Sequence, residues 1–342
     1  MAGCRAGALR SAALAAVLVA AGAFDPLPVI AGPEQSGSAS FQPPAYRFAY
    51  VTNQGSETVS VVDLDQLAVV TEIPVSGRPA GIGVAPGGGS LYVTAPEGRD
   101  VAVIDTVTRK VVRRIPLGLG PLGIAVHPTT GVIYVADWYS RLLRAADPIS
   151  GAILNEIEVG QSPSGIAITG DGRIAVTADR DNDQISIVDL ETHRLRATVP
   201  VGARPFGVTV DAGGTRAYTA NVGSNDVTVV DIATAKVVAT VPVGRRPYAV
   251  ALAATSAGER AFVTDQYGGT VTVFDTATLA VAATIEACDH PEGIAYDAGR
   301  RTVFAACWGD NELIAISSET LKVTGRVKTG DGPRAFGHFL GP

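Results

Sequence analysis

Apolar residues alternate with small or polar ones in short runs along almost the whole chain, each run closed by turn residues. That period of two is the strand signal, not the helical one. The clearest copy is Pro205–Arg246. Within it, Phe206–Val210 reads as a first strand, Asp211-Ala-Gly-Gly as a tight turn and Arg216–Ala220 as a second strand. A polar loop, Asn221–Asn225, leads to a third strand at Val227–Val230, and Val237–Val243 reads as a fourth. Asp231 ends the third strand, where its carboxylate can accept a backbone N–H and start the next turn. Four such antiparallel strands form a twisted sheet apolar on both faces. A lone copy cannot bury both faces, so the copies are expected to stack in a ring, as an all-β propeller.

The copies are counted by one proline, which recurs as Pro79, Pro121, Pro163, Pro205, Pro247, Pro291 and Pro333, in steps of 42 residues with one step of 44. A fixed period of this size marks a repeat architecture. The last copy stops after its first strand, Arg334–Leu340, and the first copy, Tyr46–Val75, begins at its second. The fragments complete each other, predicting a seven-bladed β-propeller of four-stranded blades whose C-terminal strand completes the N-terminal blade and removes an open sheet edge.

Tyr50-Val-Thr-Asn53, Tyr92-Val-Thr94, Tyr134-Val-Ala136, Tyr218-Thr-Ala-Asn221 and Phe262-Val-Thr264 resemble the YVTN repeat of the YncE-like propellers, over nearly all of Tyr46–Leu340. The resemblance implies a secreted or periplasmic bacterial seven-bladed propeller. It carries no reaction with it, because propellers host unrelated functions.

The first 31 residues read as a signal peptide. Arg5 and Arg10 precede the Ala/Val/Leu run Ser11–Phe24, and small residues suited to cleavage follow, with the cut expected after Ala23 or Ala31. The run is shorter than the ~20 residues of a spanning helix, so no membrane span is expected in the mature protein. Cys4 precedes the run and does not fit a lipid-attachment site. Residues 32–45, rich in Gly, Ser, Gln and Pro, read as a flexible lead-in to a single propeller domain over 46–342. Loss of Arg5 and Arg10 takes the formal charge from −6 to about −8, or −7 if Asp25 leaves too. An acidic chain argues against general nucleic-acid binding.

Function is expected where the copies differ. The loops from strand four to the next strand one, and those from strand two to strand three, emerge on one face. The first set reads Gly77-Arg78, Leu119-Gly120, Gln161-Ser162, Ala203-Arg204, Arg245-Arg246, Asp289-His290 and Asp331-Gly332. The second opens with Asn53, Ala95, Asp137, Ala178, Asn221, Asp265 and Cys307. After each proline stand Ala80, Leu122, Ser164, Phe206, Tyr248, Glu292 and Arg334. The candidate mouth is therefore Arg78, Asp137, Trp138, Arg204, Arg246, Tyr248, Asp265, His290, Glu292, Trp308 and Arg334. Its arginines, with Arg245, suit an anion, or else pair with Asp137, Asp265 or Glu292. Trp138 and Trp308, the two tryptophans, occupy equivalent loops and serve either as packing or as ligand platforms.

Cys288 replaces a glycine of other copies and Cys307 an Asn or Asp, at the same rim of one sheet. An oxidising compartment favours a disulfide; the alternative is a divalent metal held by Cys288, His290, Glu292 and Cys307. Asp179-Arg-Asp-Asn-Asp183 superficially resembles a calcium loop but lacks its sixth-position Gly and distal Glu. His127, His193 and His338 fall at turns and in the closing strand and are not expected to be ligands. The sequence has no Cys-x-x-Cys-His, no phosphate-cradling Gly-rich loop, no His-Glu-x-x-His and no Gly-x-Ser-x-Gly. These features favour a monomeric periplasmic or secreted binding or scaffold protein without a cofactor, its partner a small, anionic molecule or a periplasmic protein. YncE-like repeats also resemble propeller subunits of periplasmic amine and alcohol oxidation systems, which implies an accessory role beside a redox enzyme. The competing class is a metal-dependent propeller lactonase or lyase, with His290 as acid/base and Glu292, Asp265 or Asp137 as metal ligand or partner.

Overall fold

The computed structural model describes residues 46–342, so the expected signal peptide, Cys4 and the whole lead-in lie outside the described residues. Seven antiparallel sheets stand around one axis, and the sole helical element described is a single 3-10 turn, Arg180–Asn182. The copy that set the pattern forms its four strands at Pro205–Val210, Arg216–Asn221, Asp226–Asp231 and Lys236–Pro242, each within a residue of expectation. Asp231 Oδ1 accepts the N–H and hydroxyl of Thr234 at 2.8 Å each, and Asp105, Asp189 and Asp275 repeat the arrangement with Thr108, Thr192 and Thr278. The exposed outer strands are half-polar, while the second and third strands are buried on both faces between neighbouring blades.

The motif Tyr50-Val-Thr-Asn53 explains itself blade by blade. Tyr50 and Tyr218 fill the space between sheets and are 2% and 1% exposed. The threonine hydroxyl ties its blade to the next. Thr52 donates to the Ala80 carbonyl (2.8 Å), Thr94 to that of Leu122 (2.7 Å) and Thr264 to that of Glu292 (2.6 Å). Buried polar groups need such partners, and here the partner is always the inner strand of the neighbouring blade.

The ring closes as expected, through the C-terminus, but not by one continuous strand. In a complete blade such as the fourth, Pro163 pairs with Asp179 and Ile168, five residues on, with Ala175. In the closing blade Pro333 bridges Asn53, yet Leu340, seven residues on, takes the equivalent partner Ala49. The tail therefore holds two extra residues. Phe336–Gly337 leaves the first blade and pairs in parallel with Gly81–Ile82 of the second. Gly337 takes φ +119°, a conformation suited to glycine, and a Cβ there would overlap the Ile82 carbonyl. The bulge carries the Phe336 ring onto the axis, where it meets Phe206 (centroids 5.1 Å) and Tyr248 (5.7 Å). This aromatic cluster divides the axial channel into a mouth on the loop-rich face and a second cavity on the turn face.

Candidate functional site

The mouth is framed by one repeated contact. In six of the seven blades the last residue of the second strand pairs with the marker proline and reaches under the loop that precedes it: Asn53, Asp137, Asp179, Asn221, Asp265 and Cys307. Asp179, not Ala178, holds this place in the fourth blade, because the pairing register sets Pro163 opposite it. At Gly118, Gly160, Gly202, Gly244 and Gly330 a Cβ would overlap the facing Asp or Asn, so the loop needs glycine there. In the seventh blade the same two positions carry Cys288 and Cys307, which form a disulfide with Cα atoms 5.9 Å apart.

Neighbours settle the charge of each anchor. Asp137 accepts the N–H groups of Leu119 (3.0 Å) and Gly120 (2.8 Å) and bonds Ser140 and Arg144. Burial works against its charge, but these donors and the guanidinium outweigh it and hold the carboxyl below its ordinary range. Asp265 has only the hydroxyls of Thr272 (2.7 Å) and Thr270 (2.9 Å) on one oxygen, and its Oδ1 is buried without a partner. Burial dominates there and pushes the carboxyl up to about 6. Asp179, with Ser186, Thr177 and Gln184 as donors, is raised by burial in the same way. Asp137 and Asp265, expected at the mouth, are thus fully buried supports beneath it.

Two rings of side chains line the mouth cavity of ≈510 Å³. Gln54, Trp138, Arg180, Val222 and Gln266 each follow an anchor, and Pro96 follows Ala95 at the same repeat position; Leu122, Phe206, Tyr248 and Arg334 each follow a marker proline. Gly120, Tyr139, Tyr267 and Arg246 complete the wall. Of the expected residues, Trp138, Arg246, Tyr248 and Arg334 meet here. Glu292 stands behind them, 1% exposed, accepting Arg334 Nε at 2.8 Å and Gln266 Nε2 at 2.6 Å. Burial opposes the charge on Arg334, but Tyr248 and Glu292 outweigh it and raise its pKa. Burial likewise raises the Tyr248 phenol well above its usual value.

The arginines before the prolines do not form one inner ring, and of the carboxylates expected as partners only Glu292 binds a mouth arginine. Arg78, Arg204 and Arg246 share one repeat position, and each backbone N–H is held from the preceding blade, by Glu57, Asp183 and Asn225. Their side chains then follow whatever stands two residues past the end of their own blade's second strand. Glu97 draws Arg78 outward into an ion pair (3.4 Å), Gly223 leaves Arg204 in solvent, and Tyr267 holds the Arg246 guanidinium 4.3 Å from its ring centroid. Arg245 is exposed. Arg246 has no carboxylate partner among the described residues, and its Nε is buried without a hydrogen bond. Tyr267 and Arg180 were missed from sequence; aligning Tyr267 with Tyr139 in the repeat would have shown the first.

His290 and Trp308 form a separate rim cluster outside the cavity lining. His290 Nδ1 contacts Asp289 Oδ1 at 2.6 Å, its ring sits edge-on to Tyr267 and Trp308, and Trp308 is 43% exposed. The four candidate metal ligands are therefore already engaged: both cysteines in the disulfide, Glu292 with Arg334, His290 with Asp289. The acidic loop is similarly committed, Asp181 to Ser162 and Arg180, Asn182 to the Gln161 N–H, Asp183 to the Arg204 N–H. Trp138 lies under Arg180 (5.5 Å) at the cavity wall, whereas Trp308 packs on Gly332.

A family model for YNCE-like beta-propellers matches residues 34–130, a little over a quarter of the chain, in agreement with the repeat motifs. No curated protein sequence matches significantly. Solved structures share the fold. A chain described as Kuenenia stuttgartiensis hydrazine synthase superposes with a TM-score of 0.70 at 18% identity, covering 84% of this chain and 99% of that one. A functionally unknown protein from Desulfotomaculum acetoxidans gives 0.71 at 15% identity with the same coverage. At these identities the likeness shows the fold alone.

Proposed function

We propose that this YNCE-like propeller is a secreted or periplasmic binding protein that holds a small anion at the loop-rich mouth, acting as a monomer. The observation that carries the reading is Arg246: its guanidinium lies over the Tyr267 ring in the wall of the cavity, without a carboxylate of its own among the described residues. Arg180 and Arg334 border the same space, and Trp138, Tyr139 and Tyr248 add aromatic surface. Cavities of this size with apolar walls and a few placed polar groups are typical of small-molecule sites. A planar carboxylate would gain a bidentate contact with a guanidinium and stacking on the rings. The Cys288–Cys307 disulfide supports an oxidising compartment. The accessory role beside a redox enzyme is one form this binding function takes, with the partner's acidic side chain as the anion.

The test is calorimetric titration of the purified protein with aliphatic and aromatic carboxylates, benzoate and citrate among them. Saturable binding that weakens at least about tenfold in Arg246→Ala, the worth of one charge-assisted hydrogen bond, is expected. No saturable binding, or equal binding by the variant, overturns the reading.

A further inference from the structure

Below the aromatic cluster the axial channel opens again, into a cavity of ≈510 Å³ that shares no lining residue with the mouth. Its wall repeats around the axis. The residue five after each marker proline lines it: Val84, Val126, Ile168, Val210, Leu252 and Tyr296, all half-buried. The seventh member of the series is His338. Six copies thus place a large apolar side chain in a collar around the channel, and the last substitutes an imidazole.

The other six pair with the second strand of their blade, whereas the two-residue bulge takes His338 out of that pairing and leaves it in the lining. In the register of the other blades His338 would pair with Ala49 in the closing sheet. Leu340 takes that place instead and is fully buried. His338 is exposed to the lumen of the cavity, and the desolvation imposed by the surrounding protein lowers its pKa. A neutral imidazole offers one donor and one acceptor. The Tyr46 ring meets it edge-on at 5.5 Å and limits its orientation. Besides His338, the ionisable side chains of the lining are Glu259, bonded to Thr276, and Tyr296, whose hydroxyl donates to the Ala254 carbonyl (2.8 Å). No Lys or Arg lines this cavity, in contrast to the mouth.

We propose that this turn-face cavity is a second binding site, for a neutral, predominantly apolar small molecule whose single polar group hydrogen-bonds His338. The collar supplies the apolar contact, the aromatic cluster the closed end, and the absence of cations in the lining excludes the anions that suit the other face. Burial of an apolar molecule here gains roughly 25 cal/mol for each Å² removed from water, and the imidazole fixes which end enters first.

The probe is N-phenyl-1-naphthylamine, neutral and apolar with one N–H, titrated by fluorescence into the full-length chain. Saturable one-to-one enhancement is expected. Val126→Trp, which fills the collar, abolishes it. His338→Ala weakens it about fivefold, the worth of one neutral hydrogen bond, while His338→Gln, which keeps a donor and an acceptor, stays close to the parent. Absence of saturable binding overturns the proposal, as does undiminished binding by Val126→Trp. Equal affinities of the Ala and Gln variants overturn the role of His338. Should Val126→Trp fail to fold by circular dichroism, Val210→Trp replaces it, and the two His338 variants carry the same decision.

Discussion

Cys288 is bonded to Cys307 at the two repeat positions where Gly118 lies against Asp137 in the third blade. The disulfide is thus the covalent form of a contact that five other blades make with a carboxylate or an amide resting on a glycine. Closing a loop with a separation of 19 residues stabilises by about 3 kcal/mol in the chain-entropy account. Cys288→Ser or Cys307→Ser should lower stability by about 2–4 kcal/mol. The pair Cys288→Gly with Cys307→Asn should recover part of that loss, because it installs the partners found at Gly330 and Asn53. Chemical denaturation with and without reductant decides. A parent protein indifferent to reductant contradicts the structural role.

The anchor position also predicts a pH dependence. Asp265 titrates near 6 in the fold, above its ordinary value of 3.8, because burial outweighs its two threonine donors. The folded state therefore binds the proton more tightly than the unfolded chain does. Stability is highest below the unfolded value and falls as pH rises through the folded one. Between pH 4 and 7 this group should remove stability of the order of 2–3 kcal/mol. Asp265→Asn abolishes that slope, since Asn221 shows that an amide fits, donating to Thr228 at 2.8 Å. Urea melts of parent and variant at pH 5 and pH 7.5 give the result, and parallel pH profiles would refute the assignment.

Much of this was legible in the chain. Pro79 to Pro333 at fixed spacing, the strands of the fifth copy and the incomplete first and last copies fix blade number and closure, since a sheet apolar on both faces has few ways to bury itself. The disulfide followed from two departures falling at one rim. The mouth was harder, because a loop side chain is directed by its neighbours rather than by period. Nothing in Arg78, Arg204 and Arg246 themselves distinguishes them, and Glu97, Gly223 and Tyr267 send them to different places. Asp137 looked like a mouth carboxylate because its burial depends on Gly118 and Arg144, residues distant from it in pattern. The bulge at Phe336–Gly337 escaped because counting from Pro333 alone gives the wrong register; only pairing with Ala49 reveals the two extra residues.

The ion pair of Arg334 with Glu292 is nearly dry on the acid side, the carboxylate side chain being 2% exposed. Removing one partner leaves a buried charge alone, and such changes cost about 3–5 kcal/mol. Glu292→Ala is therefore expected to be far more damaging than its loss of two hydrogen bonds suggests. Glu292→Gln with Arg334→Met, which removes both charges and keeps the volume, should return most of the stability. A double variant no better than Glu292→Ala would show that the charges act independently.

Phe336 and Trp308 make opposite predictions although both are large aromatic residues near one face. Phe336 is 6% exposed and packs on Phe206 and Tyr248, so its ring closes the floor of the mouth. Truncation to Ala removes a core ring and leaves a void at the axis, a change that costs about 3–5 kcal/mol. It should also join the two cavities. Trp308 is 43% exposed and rests on the rim, where a substitution is expected to cost no more than about 1 kcal/mol. Denaturant midpoints of Phe336→Ala and Trp308→Ala measured side by side compare the two sites. If Phe336→Ala is the milder change, the aromatic cluster does not hold the axis together, and the division of the channel into two separate sites goes with it.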